Sequence, residues 1–388
     1  MKILCVATKS PWPPNDGGRL ALWLTLQGLA AAGHTLRLVA PVHSVPDARD
    51  LAMLRSVCEP VLVPVPPRSW VRAAAVALRH GTALTLARHR HVQVSAAVAS
   101  SLREFAPDVV HVEQLQALAH CDAARGAGVA VVLRMQNVES ALWEQVGRAR
   151  WRFAPLRIEA TRLRRDEARA LATCSHTVAL TERDAIVLRG PAHGEHRVAA
   201  IAPPFPPVLD AGPPQPGAPA LALAGSAGWW PNRDGTHWCL DAVAPLLRKA
   251  LPDARLHVFG GERVDAPGTI WHVAPDDART AFPAGAIALV PLHIGSGIRM
   301  RILEAWARGL PVIATSTAAA GLAVTSGREL LIADTPRATV DAIATLARDP
   351  VACAALVAAG RDYLVRHHDA QALTATLVAV YRAAIAQR

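Results

Sequence analysis

Aromatic side chains are scarce: Phe, Tyr and Trp make up 4% of the 388 residues, and only two are Tyr. Abundant Ala and Arg accompany the shortage, so the base composition of the gene explains it as well as function does. Cysteine is sparse too. Cys5, Cys58, Cys121, Cys174, Cys239 and Cys353 are far apart and form no C-x-x-C pair, which predicts reduced, buried thiols rather than a zinc site or a disulfide framework. No apolar run approaches the ~18 residues that span a bilayer. Only Ile3 to Thr8 separates Lys2 from Lys9, too short for a secretion-signal core. These absences predict a soluble, cytoplasmic chain. There is no G-x-x-x-x-G-K-[ST] loop, no G-x-S-x-G elbow, no H-E-x-x-H and no D-x-D, and the 16 histidines show no ligand spacing. P-loop, serine-hydrolase and zinc-protease chemistries are therefore set aside, and no metal site is expected.

What is present is enough apolar material for two cores, 52% of the chain against 19% charged, which excludes a disordered protein. The net charge of +10 is uneven. Residues 1–205 carry 25 Lys and Arg against 16 Asp and Glu, leaving an excess of one for the rest. A basic first half predicts an anionic partner, a membrane surface above all, unless its arginines merely cover solvated faces. Two tracts concentrate the charge. RSWVRAAAVALRHGTALTLARHRH (68–91) and GRARWRFAPLRIEATRLRR (147–165) interleave arginine with apolar residues. His89 and His91 in the first tract are expected to be solvated.

The segment 203–219, PPFPPVLDAGPPQPGAP, holds eight prolines. Proline removes backbone donors and fixes φ, so neither helix nor central strand runs through it. It divides the chain into a domain at 1–203, a linker at 204–219 and a second domain at 220–369. A last helix, 370–388, is expected to pack back on the first domain. Apolar runs of strand length recur on both sides: 2–8, 36–40, 61–65, 108–112, 129–135, 177–181 and 198–202, then 220–225, 254–260, 269–273, 286–292, 310–315 and 329–333. Helical patterns lie between most of them. The alternation predicts an α/β fold, two doubly wound Rossmann-like domains with parallel sheets, whose ligands bind beyond the carboxyl ends of the strands.

The residues of interest follow strands. HIGSGIRMRILEAWARGLPVIAT (293–315) passes from the 286–292 strand through Gly295, Ser296, Gly297 and Ile298 into a helix near Arg299. Glycines let backbone approach a ligand, and a helix start offers unpaired N–H groups. With the cations Arg299 and Arg301 beside them, the fitting occupant is a pyrophosphate. Glu304, one turn on, suits ribose hydroxyls. A plain strand–helix turn with a capping carboxylate fits the same pattern. GSAGWWPNRDGTHWCLDAV (225–243) follows the 220–225 strand, with Gly225 and Ser226 at its start, Asn232 placed to cap a helix and Arg233 available as a further cation. KSPWPPNDGGRLALW (9–23) places Gly17 and Gly18 between strand and helix. HVEQ (111–114) and RMQNVES (134–140) also follow strands, whereas Thr181 and Asp184 of VALTERDA read as a helix cap.

The segment GSGIRMRILEAWARGLPVIAT resembles the donor-binding string of glycosyltransferase family four, retaining enzymes of the GT-B fold. The resemblance implies transfer of a hexose-type sugar from a nucleotide-diphosphate sugar to a glycan, lipid-linked or small-molecule acceptor, as in polysaccharide biosynthesis. Arg299, Arg301 and Arg233 are implied to act on the leaving diphosphate. Donor binding is implied for Gly17, Gly18, Gly225, Ser226, Asn232, Gly295, Ser296, Gly297, Ile298 and Glu304. His111, Glu113, Gln136, Asn137 and Glu139 fall on the acceptor side. No cofactor is implied, because the nucleotide sugar is the substrate, and no nucleic-acid partner is expected. Two departures stand out: Ser296 occupies a position where many members carry a sugar-gripping Glu, and Gln136 one where His is common. A nucleotide-sugar epimerase of the same fold, or a non-catalytic sugar- or membrane-binding scaffold, are the alternatives.

Overall fold

Runs of Val, Ile, Leu and Ala become the strands of two parallel sheets. In the computed structural model, residues 1–67, 69–149, 153, 156–190, 197–225, 230–275 and 277–387 are described. The chain divides into two units, Met1–Pro204 together with the stretch from Ala370 onward, and Phe205–Asp369.

The first unit contains β1 (Lys2–Val6), β2 (Thr35–Val42), β3 (Glu59–Pro64), β4 (Val109–Glu113), β5 (Ala130–Met135), β6 (His176–Ala179) and β7 (Val198–Ala200). Their order is β3-β2-β1-β4-β5-β6-β7, all parallel. Ile3 pairs with Leu36 on one side and Val109 on the other, so the winding direction reverses between β1 and β4. Every residue of β4 and β5 is buried, as expected for strands covered on both faces.

Two helices cover the centre of this sheet. Gly17–Ala31 buries Leu22, Trp23, Leu26 and Leu29 in the same cluster as Leu377, Val378 and Tyr381 of the last helix, Ala370–Ala386. The helices approach at Gly28, where a Cβ would lie 2.4 Å from Thr374 Oγ1. The last helix thus belongs to the first unit.

The second unit contains β8 (Ala220–Ala224), β9 (Arg255–Phe259), β10 (Thr269–His272), β11 (Ile287–Val290), β12 (Val312–Ala314) and β13 (Leu331–Ile332), in the parallel order β10-β9-β8-β11-β12-β13. The reversal here lies between β8 and β11. In open sheets of this kind, ligands bind outside the carboxyl ends of strands at the reversal.

The proline-rich segment lies along the second unit. The N–H groups of Phe205, Leu209, Gly212 and Ala218 donate to the carbonyls of His368, Ala307, Phe282 and Asp253 at 2.9 Å. Proline prevents helix and strand there, but the remaining donors still find partners. His89 and His91 differ from expectation. His91 is buried, and the His89 carbonyl accepts from His120 Nε2 at 2.8 Å. Burial pushes the His89 imidazole down to about 4. A basic tract reads as solvated, yet the turn between the helices Leu84–His89 and Val92–Phe105 folds these rings inward.

Candidate functional site

At the carboxyl end of β11 the chain turns through Gly295, Ser296 and Gly297 into the helix Met300–Ala307. Gly297 has φ +73°, a conformation that favours glycine. Arg299 is the residue before the helix, and its guanidinium lies over Gly295, where a Cβ would sit 3.0 Å from a terminal nitrogen. Arg301 donates to the Ala224 carbonyl at the end of β8. One arginine therefore ties the glycine turn to the strand across the reversal, and the other covers the turn itself. Ile298 is half-buried beside them.

The same helix is fixed from behind. Trp306 is fully buried, donates to the Glu329 carbonyl at 2.9 Å, and lies over Gly360, where a Cβ would fall 2.4 Å from the indole. Glu304 is buried, and its Oε1 accepts from Arg308 at 2.8 and 3.1 Å. Burial raises the Glu304 pKa against the pull of Arg308. The carboxylate expected to reach ribose is thus held by an i, i+4 ion pair within its own turn.

The chain after β8 contributes Gly225, where a Cβ would lie 2.5 Å from the Gly260 carbonyl oxygen. Ser226 lies outside the described residues, as do Arg68, Arg150, Trp151 and Arg152. The helix Trp230–Trp238 begins two residues before Asn232, so Asn232 stands in its first turn and not at its cap. Pro231 is accommodated because first-turn N–H groups make no intrahelical bond. Arg233 is exposed on this helix. Gly235 lets the helix touch the chain after β11, since a Cβ there would be 2.3 Å from the Pro291 carbonyl oxygen. His293 packs edge-on to Trp238, with centroids 4.8 Å apart.

The first unit has its own polar cluster at the reversal between β1 and β4. Gly17 and Gly18 open the helix Gly17–Ala31, and Asp16 caps it by accepting from Arg19 N at 2.9 Å. Gln136, after β5, donates to the Gly18 carbonyl at 3.1 Å and to Glu113 Oε1 at 2.7 Å. Its own oxygen occupies the space beside Gly18, 2.5 Å from where a Cβ would be, and accepts from Gln114 Nε2 at 2.7 Å. Gln114 in turn accepts from Thr8 at 2.5 Å. Gln114 has φ +72° and ψ +148°, a region essentially reserved for glycine that costs on the order of 1–3 kcal/mol. The amide chain holds that backbone in place.

Beneath this chain lies a buried charge network. Arg134 Nε donates to Glu113 at 2.9 Å, with side-chain exposures of 3% and 2%, and its NH1 donates to Thr25 at 2.5 Å. His111 Nε2 pairs with Glu113 Oε2 at 2.9 Å, and its Nδ1 with the Tyr381 hydroxyl at 2.7 Å. Burial works to raise the Glu113 pKa, but the Arg134 charge and the bonds from His111 and Gln136 hold it low. Burial lowers His111 and raises Tyr381. The consistent protonation is a neutral His111 donating to an ionised Glu113 and accepting from Tyr381. His111 is therefore a buried connector between β4 and the last helix, not an accessible acceptor ligand. Glu139 and Asn137 lie at the start of the helix Glu139–Ala149 and are half-buried. Burial raises the Glu139 pKa against bonds from Gln116, Asn137 and Trp143. No motif in the sequence marks Arg134 or Tyr381; a lone arginine inside an apolar strand is the available signal for the first.

Comparison with known proteins fits this geometry. Residues 218–349 match the family described as glycosyl transferases group 1. No curated protein matches the chain. Among solved structures, HepE of Anabaena in complex with UDP-glucose shares 15% identity over 98% of each chain, with a TM-score of 0.69. The sucrose-phosphate synthase of Thermosynechococcus elongatus shares 13% over 100% of each chain, with a TM-score of 0.72. A mutant of S. aureus TarM, bound to Fondaparinux, alpha-GlcNAc-glycerol and UDP, shares 8% over 98% of this chain and 99% of its own, with a TM-score of 0.71. The chain has the GT-B fold, and within its second unit residues 218–349 are similar to the group 1 glycosyl transferases.

Proposed function

We propose that the chain is a retaining glycosyltransferase that moves a hexose-type sugar from a nucleotide-diphosphate donor to a hydroxyl acceptor. The carrying observation is the glycine turn 295–297 at the reversal of the second sheet, with Arg299 and Arg301 beside it, inside the stretch that matches the family. The solved relative with UDP-glucose supports a uridine nucleotide as the first donor to try.

The chemistry follows from charge. Breaking the bond between the sugar's C1 and the diphosphate builds positive charge on the ring and negative charge on the leaving group. Arg299, Arg301 and the N–H groups entering Met300–Ala307 stabilise that anion, and Arg233 adds a third cation. Preorganised electrostatics of this kind contributes on the order of several kcal/mol. Attack by the acceptor on the face that the leaving group vacates, with a phosphate oxygen taking the proton, retains configuration. The absence of D-x-D in the sequence supports a reaction without a diphosphate-bound metal. The acceptor is a glycan, a small molecule or a lipid-linked saccharide; in the last case the enzyme works in the cytoplasm at the inner membrane face.

The test is a panel of nucleotide sugars with and without candidate acceptors, measuring nucleotide release and product linkage in excess EDTA. Nucleotide release that depends on acceptor, with retained configuration, is the expected result. Donor isomerisation without transfer, inverted product, or activity restored only by Mn²⁺ or Mg²⁺ refutes the corresponding part of the reading. Binding without turnover on every donor and acceptor means a scaffold.

A further inference from the structure

The helix Trp70–His80 carries two apolar faces, and the fold uses only one. Ala73 and Ala77 are buried against the first unit. At 100° per residue, Val71, Ala74, Ala75 and Leu78 fall on the opposite side, and all four are exposed, Val71 at 80% and Leu78 at 87%. The spacing also sets Arg72 and Arg79 together along one flank of that stripe. Trp70, 58% exposed, carries the Arg88 guanidinium over its ring at 4.0 Å. Ser69 caps the helix start and Gly81, at φ +57°, ends it, so the stripe is a complete helix face.

Along this stretch of the chain, charge is of one sign. Residues 60–103 contain six arginines and no aspartate or glutamate. The acids that reach the following turn are committed elsewhere. Asp166 accepts from the Thr82 hydroxyl and Ala83 N–H, Glu159 from Thr85, and Asp122 lies 3.6 Å from Arg90.

We propose that this outer face docks on an anionic lipid surface, with Val71, Leu78 and Trp70 in the headgroup zone and Arg72, Arg79 and Arg88 on lipid phosphates. Size favours lipid over protein. An eleven-residue helix is about 16 Å long, so one face offers on the order of 200 Å², against roughly 800 Å² per partner in stable protein interfaces. An amphipathic face with basic flanks suits a headgroup layer, which needs no complementary partner surface. Docking there would give the lipid-linked acceptor of the proposed reaction a place to be met, while the face itself is apolar and basic whatever the reaction.

The test is cosedimentation of the full chain, without donor or acceptor, with phosphatidylcholine vesicles and with vesicles containing added phosphatidylglycerol. Binding to the anionic vesicles alone is expected at physiological ionic strength, and it weakens as salt rises. V71D/L78D should lower partitioning at least tenfold, with the melting temperature unchanged because both positions are exposed. R72A/R79A should lower it by about 25-fold, at about fivefold per charge, and flatten the salt dependence. Equal binding to neutral vesicles, no binding, or binding that survives V71D/L78D overturns the proposal. So does self-association in light scattering that V71D/L78D abolishes while vesicles are ignored, because the occupant is then a second copy. Each outcome is independent of whether sugar transfer is observed.

Discussion

Replacing Glu113 by Gln keeps the shape of the β4 end and removes one charge. In the native chain both carboxylate oxygens are filled, Oε1 by Gln136 and Oε2 by His111, with Arg134 Nε reaching both. The amide can accept on one side only, so its NH₂ meets a donor on the other. Arg134 is left as a buried cation whose NH2 already lacks a partner among the described residues. Breaking a buried pair from one side costs about 3–5 kcal/mol, because the remaining charge is uncompensated. For a unit of this size each kcal/mol moves the melting point by about 2–4 °C, so E113Q should lower the first unit's transition by roughly 10 °C. Differential scanning calorimetry reads this directly, and the second unit's transition should stay in place. The double variant E113L/R134L removes both charges and should recover most of the loss, as apolar replacement of a whole pair is often neutral. A loss below about 1 kcal/mol for E113Q, or a double variant worse than the single, refutes the reasoning.

Arg299→Ala should weaken nucleotide-diphosphate binding by about 2 kcal/mol, the loss of charge-assisted bonds to phosphate; calorimetry against UDP, GDP and ADP checks it, and wild-type affinity sinks the assignment. Gly360→Ala should drive a methyl into the Trp306 indole and destabilise the second unit by about 1–3 kcal/mol, read as a lower denaturant midpoint. Acid should destabilise the first unit. His89 and His120 are held down at about 4 by burial, whereas an unfolded histidine titrates near ~6.5. Between those values the unfolded state binds more protons, so stability is complete above pH ~6.5 and falls toward pH 4 by roughly 3 kcal/mol per ring. Glu167, pushed up to about 7, binds its proton in the folded state and offsets part of this. A denaturant midpoint that stays flat between pH ~6.5 and 4.5 would count against the burial of these rings.

The strands were legible because parallel, doubly covered sheets demand short unbroken runs of Val, Ile, Leu and Ala, bounded here by turn residues and separated by helical patterns. The glycine turn before Arg299 was legible for a local reason: strand, glycines and cation are contiguous. The i, i+4 partner of Glu304, Arg308, is equally local, yet a carboxylate read for its ligand gives no sign of the ion pair. Asn232 failed as a cap since the helix starts ahead of Pro231. His89 and His91 look solvated in a basic tract, and only the packing of His120 and Ser95 against them shows otherwise. The bond between His111 and Tyr381 spans 270 positions, and no local pattern carries it.

That long span has a consequence for how the protein is made. A ribosome delivers β1 to β7 first, then the whole second unit, and only then the helix that supplies Tyr381, Leu377 and Val378 to the first core. The second unit is one continuous stretch and can complete itself while the earlier unit waits. During that wait the apolar surface awaiting Leu377 and Val378 is uncovered, and His111 Nδ1 has no phenol to bond. A nascent chain arrested before residue 370 therefore presents a finished later domain beside an unfinished earlier one, a state that chaperones bind and proteases cut.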